Sequence, residues 1–291
     1  MEKKRVLSAL SCYVIWGVQP LYLGLMTHIN PMLTLCLRII WAAVFAAGIL
    51  AFTHRLPELK SLFLNRQKMK FLAPAMLFLF GDWGVFIYAV ETGHVLDTSL
   101  GYYMAPFVVF ALGVVVFKEK LTPLMLAAML LAFSGVAVSV LQYGQFPLIS
   151  VVLSFLFAIY GALKKIVQVE SVLSISAETI MMLPLTAAIL FISPMGAALA
   201  ASPPVDHVLF ICAGIITALP MMLYTFGVVR LPYVMIGFMQ YIAPTLSLCC
   251  GLLMGETVTP DKLVTFLFIW AALALYVVSV LLEERKKSKL H

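Results

Sequence analysis

The residues YMAPFVVFALGVVVFKEKLTP at positions 103–123 hold the two features that decide the fold of this chain. An apolar run comes first, and the charged block Lys118-Glu119-Lys120 ends it. The run predicts a membrane-spanning helix, because a span needs about 20 predominantly apolar residues. The charged block then marks one surface of the membrane.

The rest of the chain has the same character. Of 291 residues, 63% are hydrophobic and 11% are charged, whereas about a quarter of the residues of a water-soluble domain are charged. The main solvent of the chain is therefore lipid. The longest stretch of ordinary composition is the loop at 53–70, so we expect no soluble domain.

Ten apolar runs predict ten transmembrane helices in an all-α integral membrane protein. The runs are continuous, whereas the strands of a membrane barrel alternate apolar and polar residues. The predicted spans are 6–25, 31–52, 71–91, 97–117, 122–141, 147–166, 174–193, 206–229, 232–254 and 260–282.

The basic residues predict the orientation of the bundle. The net charge is +6, but the charges fall in short blocks between spans rather than on one solvated face, so we expect no nucleic-acid partner. With the N-terminus in the cytoplasm, every one of the 19 Lys and Arg residues except Arg38 and Lys262 lies on the cytoplasmic side. Basic loops favour the cytoplasm, so both termini are predicted to be cytoplasmic.

The opening stretch also occurs a second time. Tyr103–Pro106 matches Tyr241–Pro244, and Glu119–Pro123 matches Glu256–Pro260, in the same order and at a nearly constant offset. Two copies in this arrangement predict an internal repeat of the whole half-chain.

The repeat divides the chain into residues 1–143 and residues 144–291. Each half holds five spans, an odd number, so the second half must lie inverted relative to the first. Two inverted five-helix repeats around a central site are the architecture of alternating-access transporters.

Charged side chains inside the spans are candidates for function, because burying them in lipid is costly. Arg38 and Asp82 lie at similar depth and could pair, either as a packing lock or to recognise a charged or zwitterionic substrate. Asp82 is also the first candidate for a proton carrier, because apolar surroundings favour a protonated carboxyl group. Glu178 is the second candidate, although it could instead be a snorkelling or helix N-terminal acid.

Polar and aromatic residues within the spans are candidates for lining the central cavity. Most such residues pack between helices or at interfaces, and the repeat gives some of them a stronger claim. The substrate-binding candidates of this kind are Trp16, Tyr102, Tyr103, Gln240 and Tyr241.

Pro106 and Pro244 occupy equivalent positions in the two halves. Each removes one helical hydrogen bond and frees a carbonyl, which membrane helices tolerate where protein or a cavity covers it. These positions therefore predict a bend or a site.

Several motifs are absent from the sequence. It contains no G-x-x-x-x-G-K-[ST] loop for ATP, no H-E-x-x-H and no G-x-S-x-G, and its five cysteines lie in apolar runs without zinc-ligand spacing. We therefore expect neither an enzyme nor a bound cofactor or metal.

The motifs in series resemble the RarD-type proteins of the EamA branch of the drug/metabolite transporter superfamily. The matching elements are Tyr13–Gly17, Arg38–Trp41, Gly81–Trp83, Ser99–Tyr102, Glu178–Pro184 and Gly237–Thr245. This sequence departs from the family pattern in two places. Asp82 stands where the family usually has Asn, and Ala105 and Ala243 stand where Asn and Gly are common.

The resemblance implies a ten-helix fold of two inverted repeats in a bacterial inner membrane. Proteins of this type carry a label of chloramphenicol sensitivity or permease, and other members of the superfamily export amino acids and small metabolites.

The sequence thus predicts a secondary active transporter that moves small amphipathic organic solutes, such as amino acids, metabolites or drugs, by alternating access. A proton gradient is a candidate energy source, and export is the favoured direction. The alternatives are a metabolite importer or facilitator, and a membrane enzyme or scaffold. A central cavity argues against the last of these.

Overall fold

The computed structural model describes residues 2–144, 146–253 and 260–288, and every regular element within these ranges is a helix. Glu256, the partner of Glu119 in the repeat, lies outside the described residues. The helices are α1 Glu2–Leu23, α2 Pro31–Phe52, α3 Leu56–Leu64, α4 Arg66–Glu91, α5 Val95–Val115, α6 Pro123–Tyr143, α7 Leu148–Val167, α8 Ser171–Ile192, α9 Met195–Ala200, α10 Pro204–Val228, α11 Tyr233–Gln240, α12 Ile242–Leu253 and α13 Pro260–Ser288.

Ten segments of the described chain are long and apolar enough to cross a membrane, which confirms the predicted number. The ninth segment, Tyr233–Leu253, consists of α11 and α12 together. The short helices α3 and α9 lie between spans.

Local sequence signals set several helix ends. The Asn30 side chain accepts hydrogen bonds from two amides in the first turn of α2, and Pro31 begins that helix. At α6, the Thr122 side chain accepts a hydrogen bond from a first-turn amide and Pro123 begins the helix, and Gly144 ends α6 with φ 74°. Such caps satisfy amides that would otherwise be buried without a partner.

The segment expected to be the loop at 53–70 contains the amphipathic helix α3. Leu59 and Leu62 on α3 pack into a cluster with Leu50 and Leu72 of the neighbouring spans. The apolar spacing of these leucines, which a composition argument overlooks, explains the helix.

The bundle has two ends, which we call the terminal face and the distal face. The terminal face is where α1 begins and α10 ends, and Arg5 Nη1 donates there to the Phe226 carbonyl at 2.9 Å. The distal face is where α2 and α10 begin, and His28 Nε2 lies 3.0 Å from Asp206 Oδ1 there. The cytoplasmic location of the terminal face stays a prediction.

The helices pack in a defined pattern. Helix α1 packs against α10 and α12, α7 packs against α4 and α5, and α6 packs with α13. Helix α2 lies along α8 and α10. Gly17 permits the close approach of α1 and α12, because a Cβ at this position would lie 2.6 Å from the Leu246 Cβ.

The ninth span is interrupted at Tyr241, between α11 and α12. Pro244 supplies the physical reason, since a proline cannot donate to the carbonyl four residues earlier, and its ring crowds that carbonyl. The carbonyl concerned belongs to Gln240, the last residue of α11. Interrupted spans often lie at the binding sites of secondary transporters.

Candidate functional site

Arg38 is held by α10 and α4. Its Nε donates to Thr217 Oγ1 at 2.9 Å, and its Cζ lies 5.4 Å from the centre of the Trp83 ring. Among the residues that the structure describes, no ion pair joins Arg38 to Asp82. The pairing considered from the sequence is therefore wrong for this conformation.

The packing of α2 on α10 explains why Arg38 turns to Thr217. Gly214 lies one helical turn before Thr217, and a Cβ there would lie 2.8 Å from the backbone nitrogen of Ala42. The missing side chain lets the two helices approach closely, so the guanidinium reaches the threonine hydroxyl. A hydrogen bond to a charged donor of this kind contributes about 1.5–3 kcal/mol.

Tyr102 lies beside both Arg38 and Asp82. The Asp82 side chain is buried at 3% exposure, and its Oδ1 atom has no hydrogen-bond partner among the described residues. The Tyr102 hydroxyl interacts electrostatically with both Asp82 and Arg38, so the ring points between α2 and α4. The Tyr102 side chain as a whole is 41% exposed.

We call the region formed by Arg38, Asp82, Trp83, Tyr102 and Thr217 the distal chamber. From the rise of 1.5 Å per residue, Arg38 and Tyr102 lie roughly 10 Å from the distal ends of their helices. The distal chamber thus combines a cation, a carboxyl group and aromatic surface in the distal half of the bundle.

A second group, the aromatic cluster, consists of Tyr13, Trp16, Phe157, Tyr160 and Tyr224. The Trp16 ring lies 5.7 Å from Phe157 and 5.8 Å from Tyr224, and Tyr160 stacks on Tyr224 at 6.2 Å. Tyr13 lies 5.6 Å from Trp16 and 6.3 Å from Tyr224. Rings at these separations attract one another, and their faces bind apolar or cationic groups.

Unpartnered polar atoms lie in this cluster and on the neighbouring Gln240. The hydroxyls of Tyr13 and Tyr224 and both amide atoms of Gln240 are buried without a hydrogen-bond partner among the described residues. The Gln240 amide faces Tyr13 and the Tyr224 hydroxyl faces Tyr233, in both cases outside good hydrogen-bonding geometry. A buried polar atom without a partner costs about 1–3 kcal/mol, so this concentration of such atoms makes the region a candidate binding site.

Glu178 belongs to a buried ion pair with Lys164. Both side chains are 0% exposed, and Lys164 Nζ donates to Glu178 Oε1 and to Ser174 Oγ. Tyr160 Oη donates to Glu178 Oε2 at 3.1 Å, and Ser174 Oγ donates to Oε1 at 2.9 Å. The carboxylate of Glu178 therefore connects directly to the aromatic cluster through Tyr160.

Lys164 corrects an expectation from the sequence. The charge count placed it with the basic residues on the cytoplasmic side, but its side chain is fully buried within α7. The spacing contained a signal, because Tyr160 and Lys164 are four residues apart, as are Ser174 and Glu178. Residues at this spacing share a helix face, so both pairs can meet across the short turn between α7 and α8.

Three of the predicted substrate-binding residues share a backbone property. Each lies four residues before a proline of the same span, so its carbonyl loses the usual helical donor. The residues and their prolines are Trp16 with Pro20, Tyr102 with Pro106, and Gln240 with Pro244. A carbonyl of this kind is available as an acceptor for groups outside its own helix.

Tyr103 and Tyr241 lie together, as the repeat suggested, but in a different environment. The Tyr241 hydroxyl lies 3.4 Å from the Tyr103 carbonyl, and Tyr103 meets Phe266 of α13 at 5.5 Å. Tyr241 belongs to a packed cluster with Ile269, separate from the core that contains the aromatic cluster. A role for these two residues in substrate binding stays a prediction.

Comparisons with known proteins identify the family of this chain. The model of the EamA-like transporter family matches residues 3–141. Protein RarD of Escherichia coli is 35% identical over 99% of this chain and 98% of its own length. The uncharacterized transporter YojE of Bacillus subtilis is 37% identical over 99% of this chain and 98% of its own length. The chain belongs to the EamA family.

Within the EamA family, the chain is of the RarD type. The chloramphenicol-sensitive protein RarD of Pseudomonas aeruginosa is 27% identical over 93% of this chain and 92% of its own length. A crystal structure of another protein has the same fold, with a TM-score of 0.73 and 16% identity over 96% of this chain and 98% of that one. EamA membership and ten apolar helices make this chain a multi-pass inner-membrane protein of a transporter family.

Proposed function

We propose that this EamA protein is a secondary active transporter that carries small amphipathic organic solutes by alternating access. The aromatic cluster, with the unpartnered hydroxyls of Tyr13 and Tyr224 and the neighbouring Gln240 amide, is the observation that carries the proposal. Its rings would receive the apolar part of a solute, and the free hydroxyls and amide would bind its polar part. Pockets of this kind, apolar with a few placed polar groups, are typical of small-molecule sites.

The two halves of the bundle differ in accessibility. Tyr13, Tyr160 and Tyr224, on the terminal side, are buried at 1% exposure or less, whereas Tyr102 in the distal chamber is 41% exposed. The burial of the three tyrosines supports a conformation that is closed to the terminal face. With the predicted orientation, the closed face is the cytoplasmic one.

Helix packing supports the proposed inverted repeat of residues 1–143 and 144–291. Exchange of the halves would replace α1 by α7, α4 by α10, and α5 by α11 and α12. The contact of α1 with α12 then corresponds to that of α7 with α5, and the contact of α1 with α10 to that of α7 with α4. One pair departs from this symmetry, since α2 packs along α10 more extensively than α8 packs along α4.

Such a departure is what alternating access requires of a single conformation. Two related halves that pack identically would leave both faces equally open or equally closed. Asymmetric packing closes one face at a time, and the exchange of packing between the halves would open the other.

Asp82 remains the first candidate for proton coupling. It is buried, lacks an ion-pair partner among the described residues, and lies beside Tyr102 in the distal chamber. Glu178 is the weaker candidate, because it would have to leave Lys164 before it could release or accept a proton.

Export is the proposed direction, by analogy with relatives elsewhere in the superfamily. An importer or facilitator of a similar metabolite would use the same site, and the direction of flux in vesicles under an imposed pH gradient distinguishes these possibilities. The name of the 27% identical relative, a chloramphenicol-sensitive protein, fits the proposed class of amphipathic solute.

The test begins with a screen of purified protein for thermal stabilisation by amino acids, amines and nucleobases, since a ligand of the folded state raises its stability. Solutes that stabilise the protein are then used in flux assays with proteoliposomes under a pH gradient. We expect Asp82→Asn to retain flux but to lose its dependence on the gradient.

The control for this variant is Glu91→Gln, which removes an exposed carboxylate from the distal end of the same helix. It should leave proton dependence unchanged. Full proton dependence in Asp82→Asn would reject Asp82 as the carrier, and the absence of flux for every stabilising solute would reject the transport proposal itself.

A further inference from the structure

Glu119 makes an unusual contact between distant parts of the chain. Its Oε1 atom accepts a hydrogen bond from the Tyr233 amide at 2.6 Å, and its Oε2 atom accepts one from the Val234 amide at 2.8 Å. These are the first two amides of α11, whose partial positive charge a carboxylate stabilises. Glu119, in the loop after α5, thus holds the start of the interrupted ninth span.

Lys165 reinforces this contact from α7. Its Nζ atom donates to the Leu231 carbonyl, in the turn before α11, and lies 3.7 Å from Glu119 Oε1. The Lys165 ammonium also lies 5.3 Å from the centre of the Phe117 ring, which itself meets Tyr233 at 5.3 Å. Two loops and the end of α7 are therefore joined at the terminal face.

Tyr233 extends the contact into the bundle. Its hydroxyl donates to the Ala158 carbonyl of α7, two residues before Tyr160 of the aromatic cluster. Helix α11 carries Tyr233 at its start and Gln240 at its end, roughly 10 Å apart at 1.5 Å per residue. A displacement of the start of α11 would thus shift both the seal at the terminal face and the amide at the candidate binding site.

Exposure separates this contact from the buried ion pair Lys164–Glu178. Lys165 and Glu119 have side-chain exposures of 14% and 16%, whereas Lys164 and Glu178 are both at 0%. Water can replace the hydrogen bonds of a partly exposed pair when it opens, but a fully buried pair would lose its partners outright. The interruption at Tyr241 also separates α11 from α12, so the two helices are distinct segments of the ninth span.

We infer that Glu119 and Lys165 form a latch that holds α11 against α7 and keeps the terminal face closed, and that this latch must open before the aromatic cluster becomes accessible from that face. The inference rests on the proposed alternating access. Glu119 acts here as a positioning residue, because it touches α11 rather than the site of solute binding.

Cys12 provides a native probe of the latch. It is 0% exposed and lies next to Tyr13 in the closed terminal half. In a background in which the other four cysteines are replaced by alanine, a hydrophilic maleimide should label Cys12 slowly. The variant Glu119→Gln removes the charge and offers one acceptor oxygen in place of two.

We expect this variant to raise the rate of Cys12 labelling about ten-fold, the change in an equilibrium that follows from losing one charge-assisted hydrogen bond. A second probe, Tyr102→Cys in a background without other cysteines, reports on the distal chamber. Its labelling rate should fall in Glu119→Gln, because opening one face closes the other. The control Glu91→Gln should change neither rate.

Unchanged labelling of Cys12 in Glu119→Gln would overturn the inference. So would faster labelling at both probes, since that result describes a loosened fold rather than a shift between two conformations. Failure of the transport proposal would be seen separately, as a lack of solute flux in the wild-type protein.

Discussion

Removal of either member of the buried pair Lys164–Glu178 should destabilise the protein strongly, whereas removal of both should not. Both side chains are fully buried, so the variant Glu178→Leu leaves an ammonium group in the bundle with Ser174 as its remaining hydrogen-bond partner. Breaking a buried pair in this way costs about 3–5 kcal/mol. Replacing the pair by apolar residues of similar volume is often neutral or stabilising.

The contacts predict an order for the single variants. Lys164→Met leaves the Glu178 carboxylate with hydrogen bonds from Tyr160, at 3.1 Å, and from Ser174, at 2.9 Å. Glu178→Leu removes the acceptor of three donors at once, so it should be the more harmful change. At about 2 °C per kcal/mol for a chain of this size, a loss of 3–5 kcal/mol lowers the melting temperature by roughly 6–10 °C.

The assay is a double-mutant cycle on the two single variants and the double variant, measured by thermal unfolding in detergent at a fixed scan rate. The exposed pair Arg55–Glu58 supplies the control, because Glu58→Gln should move the melting temperature little. A double variant that loses as much stability as the two single variants together would refute the reasoning, since it would show that the two charges do not depend on each other.

Three further outcomes follow from the structure. Gly161→Ala should lower the free energy of unfolding by about 1–3 kcal/mol, because the added methyl group would collide with two buried tyrosine hydroxyls. In the control Gly48→Ala, the added methyl group has no atom within 4 Å, so thermal unfolding should show no loss of stability. Arg38→Lys should weaken thermal stabilisation by acidic solutes, since an ammonium lacks the planar fork of a guanidinium, and unchanged stabilisation would remove Arg38 from the site. A hydrogen bond from Arg55 lowers the pKa of Glu58. The stability that this pair contributes should therefore be present above the ordinary pKa of a glutamate and be lost as the pH falls through the lowered pKa. Thermal unfolding across acidic pH should show this loss in the wild-type protein and not in Glu58→Gln.

The helices of the bundle could be predicted from the sequence because each span is determined by its own residues. A run such as 31–52 can satisfy its backbone in lipid only as a helix, so composition and length suffice to place it. The interruption of the ninth span follows from Pro244 by equally local reasoning. The amphipathic helix α3 was missed because the composition of 53–70 hides the spacing of Leu59 and Leu62.

The candidate site depends on contacts that no local pattern contains. Arg38 turns to Thr217 rather than to Asp82 because Gly214 brings α2 and α10 together, a feature of packing between distant segments. The aromatic cluster likewise assembles rings from three helices. Trp16 was predicted on the strength of the repeat, but Phe157 and its neighbour Tyr224 gave no comparable signal.

The burial of Lys164 shows the limit of counting charges. A basic residue near the end of a span reads as part of a cytoplasmic block, and its neighbour Lys165 does lie near the surface, at 14% exposure. The two lysines differ because they lie on different faces of α7, with Lys164 facing Glu178 of α8. Only the facing helix decides which of two adjacent charges is buried.

The most direct test of the central claim is a counterflow measurement on proteoliposomes that contain the purified protein. Vesicles are loaded with an unlabelled solute that stabilises the protein, and uptake of the labelled solute is followed from outside. Alternating access predicts saturable uptake that internal solute accelerates, and strong loss of uptake in Trp16→Ala and Gln240→Ala. Uptake that rises linearly with the concentration of the labelled solute and does not depend on the internal solute would contradict the account.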